Sequence, residues 1–437
     1  MKKAPFLLGC LSLISPLAFE SQAQEPVRTY YDPGQTQVRE VYNKVNNQPE
    51  GKYTLYYDDG SLAQKGVFKE GKKIGAFVDF HPGTEDTLRI IKYEDGLKEG
   101  ESHTFYKNGQ VSQTTTYQSD IIEGEVKTYY EDGTLQSVAE FSRNYPHGKS
   151  LTYHPTGELQ EEATYELGQL EGKLISFFPD GKVEEEAFYK NGELEGDVKT
   201  YFPSGKVASV ISHRQGVKDG EFVTYFENGQ KQREGAYRRG QPHGQFKEFY
   251  DNGKLSRSTK FKRGQIDGEI LAYYPSGQKM AVTTHDKYGD PILAKNFYED
   301  GKLKKETPFR EGRIHGKENT YYPSGKLQEE TAYVNGRREG KYQRFDEDGN
   351  LILERRFRNG KQTGEEIAYF PTGEKESSTS YMGNWKEGAF EKYFPNGNVA
   401  VKGEFKANRK HGTWQYFDED ENIVKEEEYN MGEKSAD

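Results

Sequence analysis

The side chains best able to do chemistry in this chain are its histidines and acidic clusters, and neither group is spaced for catalysis or metal binding. Of nine histidines, His147, His243, His315 and His411 each stand one residue before a recurring glycine, and His81, His154, His213 and His285 fill places otherwise held by recurring aromatic residues. Only His103 lies outside those places, and no pair has the close spacing of zinc ligands. The run Asp346-Glu347-Asp348-Gly349-Asn350 has the opening of a calcium loop. The helical calcium motif, however, needs a glutamate at its twelfth position, which here is Phe357, so the run reads as a hairpin turn. No nucleophile elbow, phosphate-cradling glycine loop or paired-histidine helix motif occurs. No residue is expected to be catalytic, cofactor-binding or metal-ligating, no ligand-binding residue can be named from the pattern, and no enzymatic activity is expected.

What the sequence offers instead is a period. Glycines recur every 24 residues from Gly51 to Gly412, broken by a one-residue insertion near Thr84–Asp86 and by Ile292 in one glycine slot. Counting from each such glycine as zero, position 5 is aromatic in all sixteen units, position 6 in twelve, and position 17 is Phe or Tyr in fourteen. A Pro/Asp-x-Gly turn follows position 6, as in Pro323-Ser324-Gly325-Lys326, and a second turn such as Val334-Asn335-Gly336-Arg337 leads into the next unit. Runs of about six residues rich in Thr, Val, Tyr and Phe flank each turn and read as strands.

The sequence therefore predicts an all-β fold: an elongated repeat array of about sixteen 24-residue β-hairpins forming a continuous twisted antiparallel sheet. Strict alternation puts positions 5, 11, 15 and 17 on one apolar face and position 6 on the other. On that reading Phe249 belongs to the core and Tyr250 does not. The irregular stretch Thr283–Pro291 reads as a bend between two arrays.

Composition agrees with a thin, layered core. Only 32% of the 437 residues are hydrophobic, yet 32 tyrosines and 25 phenylalanines are present, far more than a disordered chain carries. Mean hydropathy is −1.02. Residues 1–23 read as a signal peptide, with Lys2 and Lys3, an apolar Pro5–Phe19 and a small-x-small site before cleavage after Ala23. Lipidation at Cys10 is the disfavoured alternative. Residues 24–50 read as an N-terminal cap with a degenerate half repeat, 51–291 as repeats, and 292–437 as repeats continuing after the irregular join, with a C-terminal cap. The expected location is exported: periplasmic, cell-envelope or secreted. The net charge of −10, with both signs interspersed, argues against nucleic acid and anionic membrane surfaces as partners.

The stretches Phe188-Tyr189-Lys190-Asn191-Gly192-Glu193-Leu194-Glu195-Gly196 and Tyr237-Arg238-Arg239-Gly240-Gln241-Pro242-His243-Gly244 resemble the bacterial variant of the MORN repeat, and the resemblance runs through about residues 28–435. It implies stacked antiparallel hairpins and a role in holding a protein or membrane. It also implies the antitoxin label that bacterial members often carry, which sits awkwardly with export. Choline-binding repeats are similar in length and tyrosine content, but they need tryptophan cages, and only Trp385 and Trp414 are present. Taken together, the expectation is a non-enzymatic exported repeat scaffold that binds a protein or an extended polymer. The alternative is an antitoxin or immunity-type protein that neutralises a partner toxin, and a third reading is membrane-surface binding.

Overall fold

The computed structural model describes residues 26–435. Among them there is no helix, and every strand pairing is antiparallel. The unit around Gly244 shows how the sequence produces this. Strand Gln241–Phe249 turns back into Leu255–Lys262 through Tyr250–Lys254, where Tyr250 N–H donates to Lys254 O (2.8 Å) and Gly253 N–H to Tyr250 O (2.9 Å). The Asn252 side chain caps the turn by accepting Lys254 N–H at 3.0 Å, the local bond that makes Asn and Asp good turn residues. The second turn has positive φ at both central residues, Arg263 (54°) and Gly264 (79°). That is the tight hairpin turn whose twist matches its strands.

Two bulges recur in each regular unit. In the hairpin, pairing steps from Glu248↔Arg257 to Phe249↔Leu255 and passes over Ser256. Between units it steps from Thr259↔Ile270 to Phe261↔Ile266, and Gly268 sits in the wider side of that bulge at φ 94°. Bulges re-aim side chains, and the first one changes the face assignment. Phe249 shares a face with Leu255, Lys247 and Ser258, whereas Phe246 shares the other with Thr259, and Phe261 lies opposite Gly244 on that same face. Positions 5 and 11 therefore point away from positions 15 and 17. The expected single apolar face at 5, 11, 15 and 17 is corrected: the core rungs are positions 2, 15 and 17, and position 5 forms a half-buried row behind them.

The described chain forms two bodies. The first holds the described residues up to Gly172 together with Pro179–Gly181, and the second holds Lys173–Phe178 with the residues from Lys182 on. In the first, Val27–Tyr30 pairs with Val38–Val45, so the N-terminal cap is a complete hairpin. Its tightest rungs are Phe77 (1% exposed) and Ala163 (1%), while Phe80 (4%) is buried on the opposite face. In the second, the position-15 residues Ala187, Thr259, Thr307, Thr331 and Thr379 are buried, as are Phe222 and Trp414.

The irregular stretch Thr283–Pro291 lies within the second body, and pairing runs through it without a break. Lys279–His285 pairs with Pro291–Phe297, joined by a turn of the first kind in which Asp286 N–H donates to Asp290 O (2.8 Å). The register stays Thr283↔Ala294, the usual 15-to-2 match, but the wide inter-unit bulge is replaced by a narrower one, in which pairing steps from Thr284↔Leu293 to His285↔Pro291 and passes over Ile292 alone. Ile292 thus takes the passed-over place that Ser256 takes in a hairpin bulge, and it has no positive φ, which is why it can stand where other units need glycine.

Candidate binding face

The face carrying positions 2, 15 and 17 gathers aromatic rings into separate clusters. In the first body Tyr53, Phe68, Phe77 and Tyr93 meet edge-on, with centroids 5.2–5.4 Å apart from ring to ring. In the second, Phe246 lies 5.2 Å from Phe222 and 4.9 Å from Phe261. Further along, Trp414 stacks on Phe390 at 5.2 Å and meets Phe405 edge-on at 5.2 Å. Such geometries stabilise by about 0.5–1.5 kcal/mol per pair beyond the area buried. Each cluster is enabled by a glycine at position 15. A β-carbon on Gly235 would come 2.8 Å from Phe222 and 2.9 Å from Phe246, Gly66 is overlain by Phe77, and Gly403 by Trp414.

Cations from position 22 lie over these rings. Lys73 Nζ is 4.5 Å from the Phe77 centroid and 5.0 Å from Tyr93. Lys410 Nζ is 4.2 Å from Trp414 and 4.8 Å from Tyr429. Half-burial lowers the Lys73 pKa from its ordinary value. The ring faces are thus partnered within the chain by cation–π contact, and the ammonium groups form the outer surface. Between the second and third clusters the core rungs turn polar. Glu318 accepts from Lys305 (3.1 Å) and Thr307 Oγ1 (2.9 Å), and Arg355 pairs with Glu366. Tyr342 donates to Glu329 at 3.0 Å, and burial followed by that bond raises the phenol's pKa.

On the opposite face lysine–glutamate pairs recur between positions 1 and 14: Lys149–Glu162 (3.0 Å), Lys317–Glu330 (2.8 Å) and Lys341–Glu354 (3.2 Å). An open hollow of about 520 Å³ there is lined by Asp197, Ser212, Glu234 and Val223. The carboxylates of Asp197 and Glu234 are already engaged. Asp197 accepts Ser212 Oγ at 2.6 Å, and bonds from Lys231 and then Lys247 hold the Glu234 carboxyl below its usual range. Paired this way, they are not poised as acid or base.

Both turn edges are stapled from unit to unit. The position-6 tyrosines reach one unit on: Tyr57 O–H donates to Phe80 O (2.9 Å), Tyr130 to Tyr153 O (2.8 Å), Tyr250 to Tyr273 O (2.7 Å) and Tyr322 to Phe345 O (2.9 Å). Position-10 lysines add a second tie on the same edge, such as Lys254 Nζ to Ser276 O (2.9 Å). At the other edge Gly264 N–H donates to Pro242 O (3.1 Å). Tyr250 is therefore part of the framework, contrary to the expectation from alternation. Its signal in the sequence was the preference for Tyr where a plain ring would serve a passive face.

The histidines lie where the repeat places them. The residue before the repeat glycine accepts a turn N–H: Glu99 from Ser119 (2.8 Å), Glu339 from Asn359 (2.6 Å), and His315 Nδ1 from Asn335 (3.5 Å). The run Asp346–Asn350 forms a turn of the first kind. Asp346 Oδ1 accepts Asp348 N–H (2.9 Å) and Asn350 N–H (2.8 Å), while Asn350 Nδ2 donates to Oδ2 (3.1 Å). Among the described residues no group of three or more His, Cys, Asp or Glu is arranged to hold a metal ion. The segment 1–23 read as a signal peptide, with Cys10 in it, lies outside the described residues.

No curated protein sequence matches the chain. Two solved structures overlap it at 12% identity: the Photorhabdus luminescens Tc holotoxin pore (90% of this chain, 27% of that one, TM-score 0.14) and a TcdB2–TccC3 structure (88% and 24%, TM-score 0.12). The chain spans about a quarter of the length of each, and overlaps this weak carry no shared architecture. The model of the MORN repeat variant matches residues 49–70, 98–119, 122–142, 146–167, 170–191, 194–215, 218–238 and 242–263, then 292–311, 314–335, 338–359, 386–407 and 410–431. These segments coincide with the paired hairpins described above and make up more than half of the sequence, so the chain belongs to the MORN repeat variant family.

Proposed function

We propose that this repeat scaffold is exported and holds a protein, or an extended polymer, along its surface, without catalysing a reaction. One observation carries this reading. The groups best placed for chemistry (the carboxylates of the hollow, the position-22 lysines and the turn aspartates) are tied up in keeping neighbouring units in register. What the array presents outward is therefore repeated shape and charge. Stapling at both turn edges keeps that surface rigid, which lowers the ordering cost of binding.

The test is a pull-down with the mature chain from its native envelope fraction. One stoichiometric protein or polymer partner supports the scaffold reading. A toxin as that partner moves the assignment to an immunity-type protein, the second reading, which the family's antitoxin label favours. Recovery of lipid alone, or of nothing, overturns the scaffold reading.

A further inference from the structure

We propose that the second-turn edge of the first body is a docking surface for a basic amphipathic α-helix of a partner protein. This rests on the scaffold reading and names the partner's chemistry. Three consecutive units place a large apolar residue at position 21, beside the second turn: Leu97, Ile121 and Tyr145, which are 44%, 41% and 57% exposed. Most other units put a polar residue such as Lys72, Gln169, Gln241 or Gln265 at that position, and the exposed apolar residues Val217 and Trp385 stand there singly, so nothing in the hairpin itself demands an apolar side chain, and three in succession are particular to this edge.

Leu167 continues the row and adds an independent sign. It occupies the first central position of the next second turn at φ 47° and is 59% exposed. Holding a bulky L residue in the left-handed region costs about 1–2 kcal/mol, and leaving it in water recovers nothing. Other units hold Asn191, Asn335 and Asn359, or long polar residues such as Arg143, Gln215 and Arg239, at the same turn position at φ 49–52°, so Leu167 differs from them in its exposed apolar side chain and not in its backbone. The Tyr145 ring leans on the neighbouring turn residue, its Cδ1 3.3 Å from where a β-carbon of Gly168 would sit. Tyr145 and Leu167 thus lie side by side on one edge. An exposed leucine at position 19, beside a row of three exposed apolar residues at position 21, marks a patch suited to contact with a partner.

Spacing and charge select the occupant. Successive members of the row are two strands apart, about 10 Å, and one heptad of α-helix advances about 10.5 Å. A helix along the edge can therefore set one apolar residue against each member. The turn segments 94–99, 118–123, 142–147 and 166–171 carry seven carboxylates and only two Lys or Arg. That excess repels a second copy of the same edge and favours lysine or arginine beside the helix's apolar stripe.

The experiment titrates the full-length mature chain with a labelled 21-residue helical peptide bearing leucine at heptad spacing and flanking lysines. A matched peptide with flanking glutamates serves as the control. Saturable binding of the basic peptide is expected, at least about tenfold weaker in Leu167→Asn/Tyr145→Gln and in Leu97→Gln/Ile121→Gln. Leu167→Asn alone is expected to leave the thermal midpoint unchanged or raised, so that loss of binding does not reflect unfolding. No binding, equal affinity for the acidic peptide, or full affinity in both double variants overturns the proposal. None of these results bears on the pull-down, so failure of the helix site and failure of the scaffold reading are told apart.

Discussion

Phe246 lies flat against the backbone of Gly235, so close that a β-carbon there would sit 2.9 Å from the ring. The same pairing of a large position-2 side chain with a position-15 glycine recurs at Phe77 with Gly66 and at Trp414 with Gly403. Where position 2 is small, as at Ser102, the matching residue of the preceding unit is large, as in Ile91, and both are buried. The core conserves volume across two strands instead of conserving a residue type.

Gly235→Ala should therefore destabilise by about 1–3 kcal/mol through overpacking. Combining it with Phe246→Leu should recover part of that loss, a coupling that a double-mutant cycle in urea reads directly. Additive effects would mean that the ring and the glycine are not in contact.

How much of this is legible in the sequence depends on which residues vary. The period and both turns could be read because Gly, Asn, Asp and Pro are demanded by backbone geometry at fixed places. Position 2 escaped notice because its identity changes freely, from Phe77 through Ser102 to Glu318, with position 15 compensating. The face of Phe249 was misread because one bulged residue, Ser256, resets the alternation, and nothing in Leu255-Ser256-Arg257 announces a bulge. Ile292 looked like a defect because a glycine was assumed to be needed there.

Tyr250→Phe should cost about 0.5–1.5 kcal/mol, the net contribution of one hydrogen bond, since it removes only the bond to Tyr273 O. Phe226→Tyr in the preceding unit places a hydroxyl where none exists and should be neutral or stabilising. Urea midpoints of the two variants check both signs.

Ile292→Gly should destabilise by about 0.5–1 kcal/mol, because glycine at a bulge residue that needs no positive φ adds chain entropy and loses packing. Gly268→Ala, at φ 94°, should destabilise through strain. If Ile292→Gly proved stabilising, the bulge residue would be strained by its β-carbon after all.

Alkaline pH should loosen the array. Burial and then the Glu40 carboxylate push the Tyr53 phenol up to about 12, and burial and then the bond to Glu391 do the same for Tyr393. Both pKa values are raised above that of the unfolded chain, so their contribution is complete below about pH 10 and is lost as pH rises through about 12. Ultraviolet titration should show a late-ionising tyrosine fraction that merges with the rest in urea. At the C-terminal end, bonds from Lys425, then Tyr416 and Tyr429, hold the Glu427 carboxyl well below the usual range. Its contribution is present above about pH 4.5 and declines on acidification below that. Glu427→Gln should abolish this acid dependence of amide exchange in Ile423–Asn430.

The most direct test of the scaffold account is site-specific photo-cross-linking of the full chain in its native envelope. Single probes at Ile121, on the apolar turn edge, and at Asp251 and Ser324, on the opposite turn edge, would each be activated separately. The account predicts a single protein or polymer partner captured by at least one of these probes, with strongest capture at Ile121 if the apolar edge is the contact. No adduct at any of the three positions, or adducts to lipid alone, would contradict it.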